Sequence, residues 1–446
     1  MISEVRTHTF PDGSIQRVHT VRPDSWESLS FLRPTPSPDA LSCFARIYRK
    51  FLVPACPWLF GQMVLFRLPE SITLPLPMES ARCGALADRL TAATVLLRRD
   101  VTLTGGKPRF RSALSRQLWL ELESRDLLRI VCGKLPTTVF IPVAEKAGFL
   151  TGCEPDAAVK VNASFFIMDR FDCATPYDQV GTPFGLLVKD GIAEQPPLYG
   201  REALLAHRDG RITITACDAR KMTLRIGSHT FRHGENCTVY TRPQHCRTPF
   251  GKDLRLVICG SHVAAVKQGG SVPIPASGFV LCPKEACAVQ PGERLRIDGL
   301  EDIVFGIQVG NSILRNGIPT DRFLSRFYNI RALQPVPYPP SLYPLDFQNA
   351  RAARIALGAD RDGRPMLLWA EGAAKIGYQK GRDSRGASLS DMATLCQDAG
   401  MVNAVNLDGG GSAQLLVNNR RSLKISDRGE DGTETERPVP LALMIR

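Results

Sequence analysis

The chain has 446 residues, 43% of them hydrophobic and 22% charged, with a formal net charge of +12. That length buries a sizeable core, and that composition excludes a disordered or collagen-like protein. The basic residues are scattered, with neither a Lys/Arg run to track a phosphate backbone nor an aromatic-interleaved RNA-binding motif, so no nucleic-acid partner is expected; an anionic small substrate or an acidic envelope polymer suits the charge equally well.

In chain order, Val5 to Arg22 reads as opening strands, and residues 1–33 are assigned to the main domain. Met1 to Phe10 is polar and charged, unlike a signal peptide. Residues 34–111 open with Pro34, Pro36 and Pro38 and carry Pro69, Pro75 and Pro77, which reads as an insertion or peripheral subdomain. Inside it, Phe51 to Leu68 is apolar and follows Arg46, Arg49 and Lys50, but Pro54 and Pro57 interrupt it. It also falls short of the roughly 20 residues that a membrane span needs, so a buried helix or loop is expected and membrane contact through 51–68 is the lesser alternative.

The main domain is expected to resume over 112–446. A helical turn at Pro142 to Ala147 precedes a strand at Ala157 to Val161. Between 211 and 300 a β-rich section alternates every second residue: Arg211 to Ala216, Leu254 to Cys259, Gly278 to Cys282 and Glu293 to Ile297, followed by Ile303 to Val309. Ala353 to Gly358 and Met366 to Ala370 flank Asp360-Arg361-Asp362-Gly363, a hairpin signature. Ser388 and Asp391 resemble a capping box, after which Leu389, Met392, Leu395, Cys396 and Ala399 share a helical face that Gly400 ends. The fold class expected is α+β, a β-rich mixed sheet with a few packed helices.

Thirteen cysteines form no Cys-x-x-Cys pair, and Cys132, Cys259 and Cys282 lie in apolar strand-like runs. Buried thiols follow, which weights the location toward the cytoplasm without fixing it. His229 and His233 have ligand spacing only on a helix, and Gly227 and Gly234 place them in a strand-and-turn region, so no metal site is assigned there.

The segment Asn406-Leu407-Asp408-Gly409-Gly410-Gly411-Ser412 lies between two expected strands, Met401 to Leu407 and Ala413 to Val417. Consecutive glycines let backbone N–H groups converge on an anion beside the one carboxylate. The plainer reading is a tight glycine hairpin with a capping Asp. With no Lys after the glycines and no following helix, a nucleotide P-loop is not expected.

These residues resemble the phosphodiester glycosidase family. Asn403 to Ser412 is similar to its most specific motif, Arg354 to Gly358 to its arginine-initiated strand, and Glu436-Arg437-Pro438-Val439 to its closing motif. Val161-Asn162-Ala163-Ser164-Phe165-Phe166 resembles its asparagine-to-double-phenylalanine signature, followed by Pro183 to Gly191. Ala163 and Ser164 stand where family members usually carry glycines, and Ile167 where an acidic residue commonly follows. The resemblance runs roughly from Thr138 to Arg446. It implies hydrolysis of the glycosidic bond of a sugar-1-phosphodiester, of the N-acetylglucosamine type, in envelope or exopolysaccharide metabolism.

Phosphate is a weakly basic leaving group, so such a site must mainly hold it, stabilise an oxocarbenium-like sugar and activate water. Arg354 and Arg437 suit the clamp, since a guanidinium grips phosphate bidentately. Gly409, Gly410, Gly411 and Ser412 offer neutral donors. Asp408 is the first catalytic carboxylate and Glu371 the second; Asn162 orients a loop or a sugar hydroxyl, and Phe166 stacks on a sugar or belongs to the core. No cofactor is required, although a divalent ion at Asp408 is left open. The expected partner is a small or polymeric sugar phosphate. Two alternatives share this anion cradle: a phosphodiesterase cleaving P–O, and a non-catalytic glycan-binding or envelope-assembly module.

Overall fold

The computed structural model describes residues 1–35, 101–104, 107–116, 147–153, 157–167, 175, 177, 181–197, 201–242, 247–308, 310, 312–320, 351–372, 378–428 and 433–446. The apolar run 51–68, most of the 34–111 segment, Cys132 and all but the last residue of the 142–147 turn lie outside the described residues.

A seven-stranded sheet runs in the order Ile2–Thr9, Ile15–Arg22, Pro365–Ala370, Arg354–Ala359, Asn403–Asn406, Ser312–Arg315 and Ile318–Pro319. Its centre is the hairpin read from the sequence. Asp360 Oδ1 accepts the Asp362 and Arg364 N–H groups at 2.9 Å each, and Gly363 takes φ +79°, which a side chain would resist. Arg354–Ala359 and Pro365–Ala370 then pair residue for residue, and every residue of both strands is buried.

One face of this sheet is covered by the helix Leu389–Asp398. Ser388 accepts from the Asp391 N–H at 3.1 Å while Asp391 Oδ2 accepts from the Ser388 N–H at 3.0 Å, so the capping box closes. Met392, Leu395 and Cys396 pack with Leu314, Ala356 and Leu368 in one apolar cluster. Gly400, at φ +90°, turns the chain into Asn403–Asn406 beside Arg354–Ala359.

A five-stranded sheet (Ile212–Cys217, Arg201–His207, Ile303–Gln308, Leu187–Lys189, Ile192–Gln195) and a four-stranded one (Cys237–Tyr240, Gly278–Pro283, Gly251–Cys259, His262–Gly270) share a core that includes Leu205, Phe231, Ile258 and Phe279. Burial pushes the Cys217, Cys237 and Cys282 thiols up to about 11, so they are inert apolar fillers.

A second four-stranded sheet, here the C-terminal sheet, is ordered Leu415–Val417, Val159–Asn162, Ala442–Ile445 and Leu29–Leu32. All its pairings are antiparallel, so Leu415, Asn162, Ala442 and Leu32 line up along one rim. This corrects the glycine-hairpin reading. The strand before the glycines pairs within the seven-stranded sheet and the strand after them within the C-terminal sheet, so the segment is a crossover between sheets. Strands dominate to the point that α+β fits only loosely: the molecule is strand-rich, with several sheets.

His19, on the strand Ile15–Arg22, is 3% exposed and wedged between Ser3 Oγ (2.6 Å from Nε2) and Ser422 Oγ (2.5 Å from Nδ1). A neutral ring can donate through one nitrogen and accept through the other. Burial lowers its pKa from the ordinary 6.5. The unfolded chain therefore binds a proton that the folded state resists, so the stability contributed is complete above about pH 6.5 and is lost as pH falls below that through the lowered folded value. Calorimetry between about pH 7 and pH 5 should show a wild-type Tm that drops more steeply than that of His19→Gln; equal slopes would assign the pH dependence elsewhere.

Candidate active site

The crossover begins where the strand Asn403–Asn406 ends. Leu407 N–H still donates to Ile355 O at 2.8 Å, but Asp408 N–H turns to Ala163 O at 3.1 Å, leaving one sheet for the end of another. Gly410 N–H donates to Ala353 O at 2.8 Å, and Gly410 to Ser412 form a 3-10 turn with Gly410 at φ +63°. Asp408 is half-buried and Ser412 is buried.

Asn162 fastens both ends of this turn. Its Nδ2 donates to Asp408 O at 2.7 Å and its Oδ1 accepts the Gln414 N–H at 2.9 Å. At 1% exposure Asn162 is an internal staple across the turn.

Both arginines meet the glycines. A Cβ on Gly409 would lie 3.3 Å from Arg354 Cδ and 3.5 Å from its Nη1, while a Cβ on Gly411 would overlap the Arg437 guanidinium and Asp427 Oδ1. Glycine is needed at 411 because a guanidinium occupies the side-chain space. Arg354 and Arg437 are 5% and 6% exposed, so the turn is flanked by two buried cations in a region where screening is weak. Arg437 is held side-on by Asp427, with Nε–Oδ2 at 2.9 Å and Nη2–Oδ1 at 3.2 Å. Arg354 Nε reaches Ala387 O at 3.4 Å.

Glu371 lies behind this cluster. It is 4% exposed and accepts from Arg17 Nη1 at 3.1 Å, Ser384 Oγ at 2.5 Å and the Lys424 N–H at 2.9 Å. Its neighbour Gly372 packs against Ser426, whose Oγ accepts the Ala353 N–H at 3.3 Å. These contacts tie the 422–427 loop to the sheet and bring Asp427 to Arg437. Phe165 and Phe166 are 7% and 4% exposed, with Arg201 over the Phe165 ring at 5.9 Å, so both rings are largely enclosed by protein. Ala163 and Ser164 are buried, and the Ala163 carbonyl is the partner of the Asp408 N–H. His233 Nδ1 accepts the Val239 N–H at 3.0 Å, within a turn.

Sequence reasoning missed Asp427 and Gln414. Asp427 sits in the polar run Ser426-Asp427-Arg428, which carries no motif, and only its approach to Arg437 distinguishes it. Gln414 Nε2 donates to Arg437 O at 2.7 Å, so one residue links the staple to the second arginine.

A family model described as phosphodiester glycosidase matches residues 262–446. The N-acetylglucosamine-1-phosphodiester alpha-N-acetylglucosaminidase of Mus musculus is 38% identical over 85 residues, 19% of this chain and 15% of that protein. The chain thus spans about 15% of the length of that curated relative. Among solved structures, a hypothetical protein from Synechocystis aligns over 100% of this chain and 62% of its own, with TM-score 0.41 and 16% identity. The zebrafish N-acetylglucosamine-1-phosphodiester alpha-N-acetylglucosaminidase catalytic domain, auto-inhibited by its pro-peptide, aligns over 100% of this chain and 82% of its own, with TM-score 0.36 and 13% identity.

Replacing the staple tests its structural weight. Asn162→Ala leaves the Asp408 carbonyl and the Gln414 N–H without their buried partner, which should cost about 2–5 kcal/mol by urea titration. A loss under about 0.5 kcal/mol would show that the crossover holds its shape without Asn162.

Proposed function

From the match of residues 262–446 to the phosphodiester glycosidase family, we propose that the chain is a hydrolase that cleaves the glycosidic bond of a sugar-1-phosphodiester, with a sugar of the N-acetylglucosamine type. The observation that carries this reading is the approach of Arg354 and Arg437 to Gly409 and Gly411, on a turn that starts at Asp408. Two fixed cations and a glycine turn suit a phosphodiester monoanion, and a carboxylate at the head of the turn suits the sugar carbon next to it.

In this proposal the arginines hold the phosphate oxygens and take up charge as the bond from the sugar C1 to the bridging oxygen breaks. Asp408 accepts a proton from water as the water oxygen bonds to C1. The products are a free sugar, carrying the water oxygen, and a phosphate monoester that leaves as its anion. The leaving group needs little protonation, which accords with a single carboxylate at the turn. Glu371, already accepting from Arg17, Ser384 and the Lys424 amide, is assigned to holding the 422–427 loop. Asn162 and Asp427 position the turn and Arg437.

Cleavage at P–O uses the same cradle, and isotope placement separates the two. Hydrolysis of a sugar-1-phosphodiester in oxygen-18 water should label the sugar and leave the phosphate unlabelled; label on phosphate would reassign the protein as a phosphodiesterase.

Substitutions test the residues. Asp408→Asn keeps shape and removes charge, so turnover should fall about a hundredfold or more with Tm little changed. Arg437→Lys loses the planar fork and should slow turnover about tenfold or more. A folded Asp408→Asn protein with wild-type turnover would remove Asp408 from the chemistry. Tight diester binding by the wild type with no turnover would identify a glycan-binding module instead.

A further inference from the structure

The rim of the C-terminal sheet carries more than the glycine turn. The turn leads into Leu415, and the 163–167 segment leaves Asn162; next come Arg437 to Leu441, leading into Ala442, and then Arg33 to Thr35, leaving Leu32. Four neighbouring strands place these segments side by side over about 14 Å, at about 4.8 Å per strand. The glycine turn occupies one end of that rim.

At the other end is a cavity of about 770 Å³. Arg33 and Pro440 contribute from the rim itself, Thr182 from the segment bridged to Phe166, and Gln195, Ser261 and His262 from the two middle sheets. Pro440 precedes Leu441, whose carbonyl accepts the Ala163 N–H at 3.3 Å, and Ala163 O accepts from Asp408 N–H. Two residues, Leu441 and Ala163, therefore link the cavity wall to the turn.

The lining has a definite chemistry. It offers a guanidinium, an imidazole, hydroxyls and an amide, and among the described residues no carboxylate. Gln195 is 7% exposed, and its Oε1 has no hydrogen-bond partner among the described residues. Ser261 Oγ and His262 Nδ1 are 3.1 Å apart at the tip of a hairpin whose Gly260 faces Gln195. A group rich in hydroxyls would pair with the Ser261 and His262 side chains, and the Arg33 guanidinium tolerates negative charge on it.

We infer that this cavity is a second subsite, which holds the hydroxyl-rich, anionic chain continuing beyond the phosphate, so that the substrate is a phosphate-bridged saccharide polymer rather than a small diester. The inference rests on the proposed glycosidase reading. A chain leaving the glycine turn along the rim reaches the cavity after about 10–14 Å, the span of two to three strands.

The test compares a short phosphate-bridged hexosamine oligosaccharide with the methyl diester of N-acetylglucosamine 1-phosphate. Arg33 and His262 are both exposed, so Arg33→Ala and His262→Ala should fold normally. Each should raise KM for the oligosaccharide about tenfold, the loss of one charge-assisted contact, and leave the methyl diester unchanged. Equal effects on both substrates, or none on either, would overturn the subsite. Calorimetric titration of the oligosaccharide into Asp408→Asn gives a readout without turnover. Binding there that Arg33→Ala weakens about tenfold supports the subsite even if no diester is hydrolysed, an outcome that sinks only the glycosidase reading. No binding of the oligosaccharide by Asp408→Asn or the wild type overturns the subsite.

Discussion

The Asn162 side chain is the contact on which the rest of the site depends. A crossover with three consecutive glycines gains little order from its own side chains, and glycine loses more backbone freedom on folding than any other residue. By donating to Asp408 O and accepting from Gln414 N–H, one amide fixes where the crossover leaves one sheet and where it enters the other. The positions of Gly409 against Arg354 and of Gly411 against Arg437 follow from those two anchors.

The second constraint is electrostatic. A buried guanidinium needs compensating partners, and Asp427 supplies them for Arg437 through two contacts. Asp427 is itself delivered by a loop held at Lys424 by Glu371 and packed at Ser426 against Gly372. Carboxylates therefore occupy two kinds of place here. Glu371 and Asp427 brace the 422–427 loop and Arg437, and Asp408 stands at the head of the glycine turn.

Features set by local physics were legible in the sequence. The Asp360 to Gly363 hairpin and the Ser388/Asp391 capping box each depend on residues within five positions of one another, and both form as read. The adjacency of the Arg354 and Asn403 strands was also accessible, since a hairpin and a helix return the chain to the same sheet. What was not legible depends on distant pairing. That Leu415–Val417 would pair with Val159–Asn162, some 250 residues earlier, and not with the strand just before it, has no local signal. Asp427 lies only ten residues from Arg437 but in a run without a motif, and the enclosure of Phe165 and Phe166 by later segments could not be read from their own neighbours.

The strand Ala442–Ile445 lies between Val159–Asn162 and Leu29–Leu32, and has consequences for biosynthesis. During translation Leu29–Leu32 emerges early but has no partner in its sheet until residues 442–445 leave the ribosome. Val159–Asn162 waits equally long with one edge open, and Arg437 cannot reach Gly411 before then. Such late, long-range closure makes folding slow and leaves strand edges exposed to neighbouring nascent chains. The same ordering means that a nascent chain that has not yet reached Ala442–Ile445 lacks the strand that joins Val159–Asn162 to Leu29–Leu32, so this sheet closes in a single step.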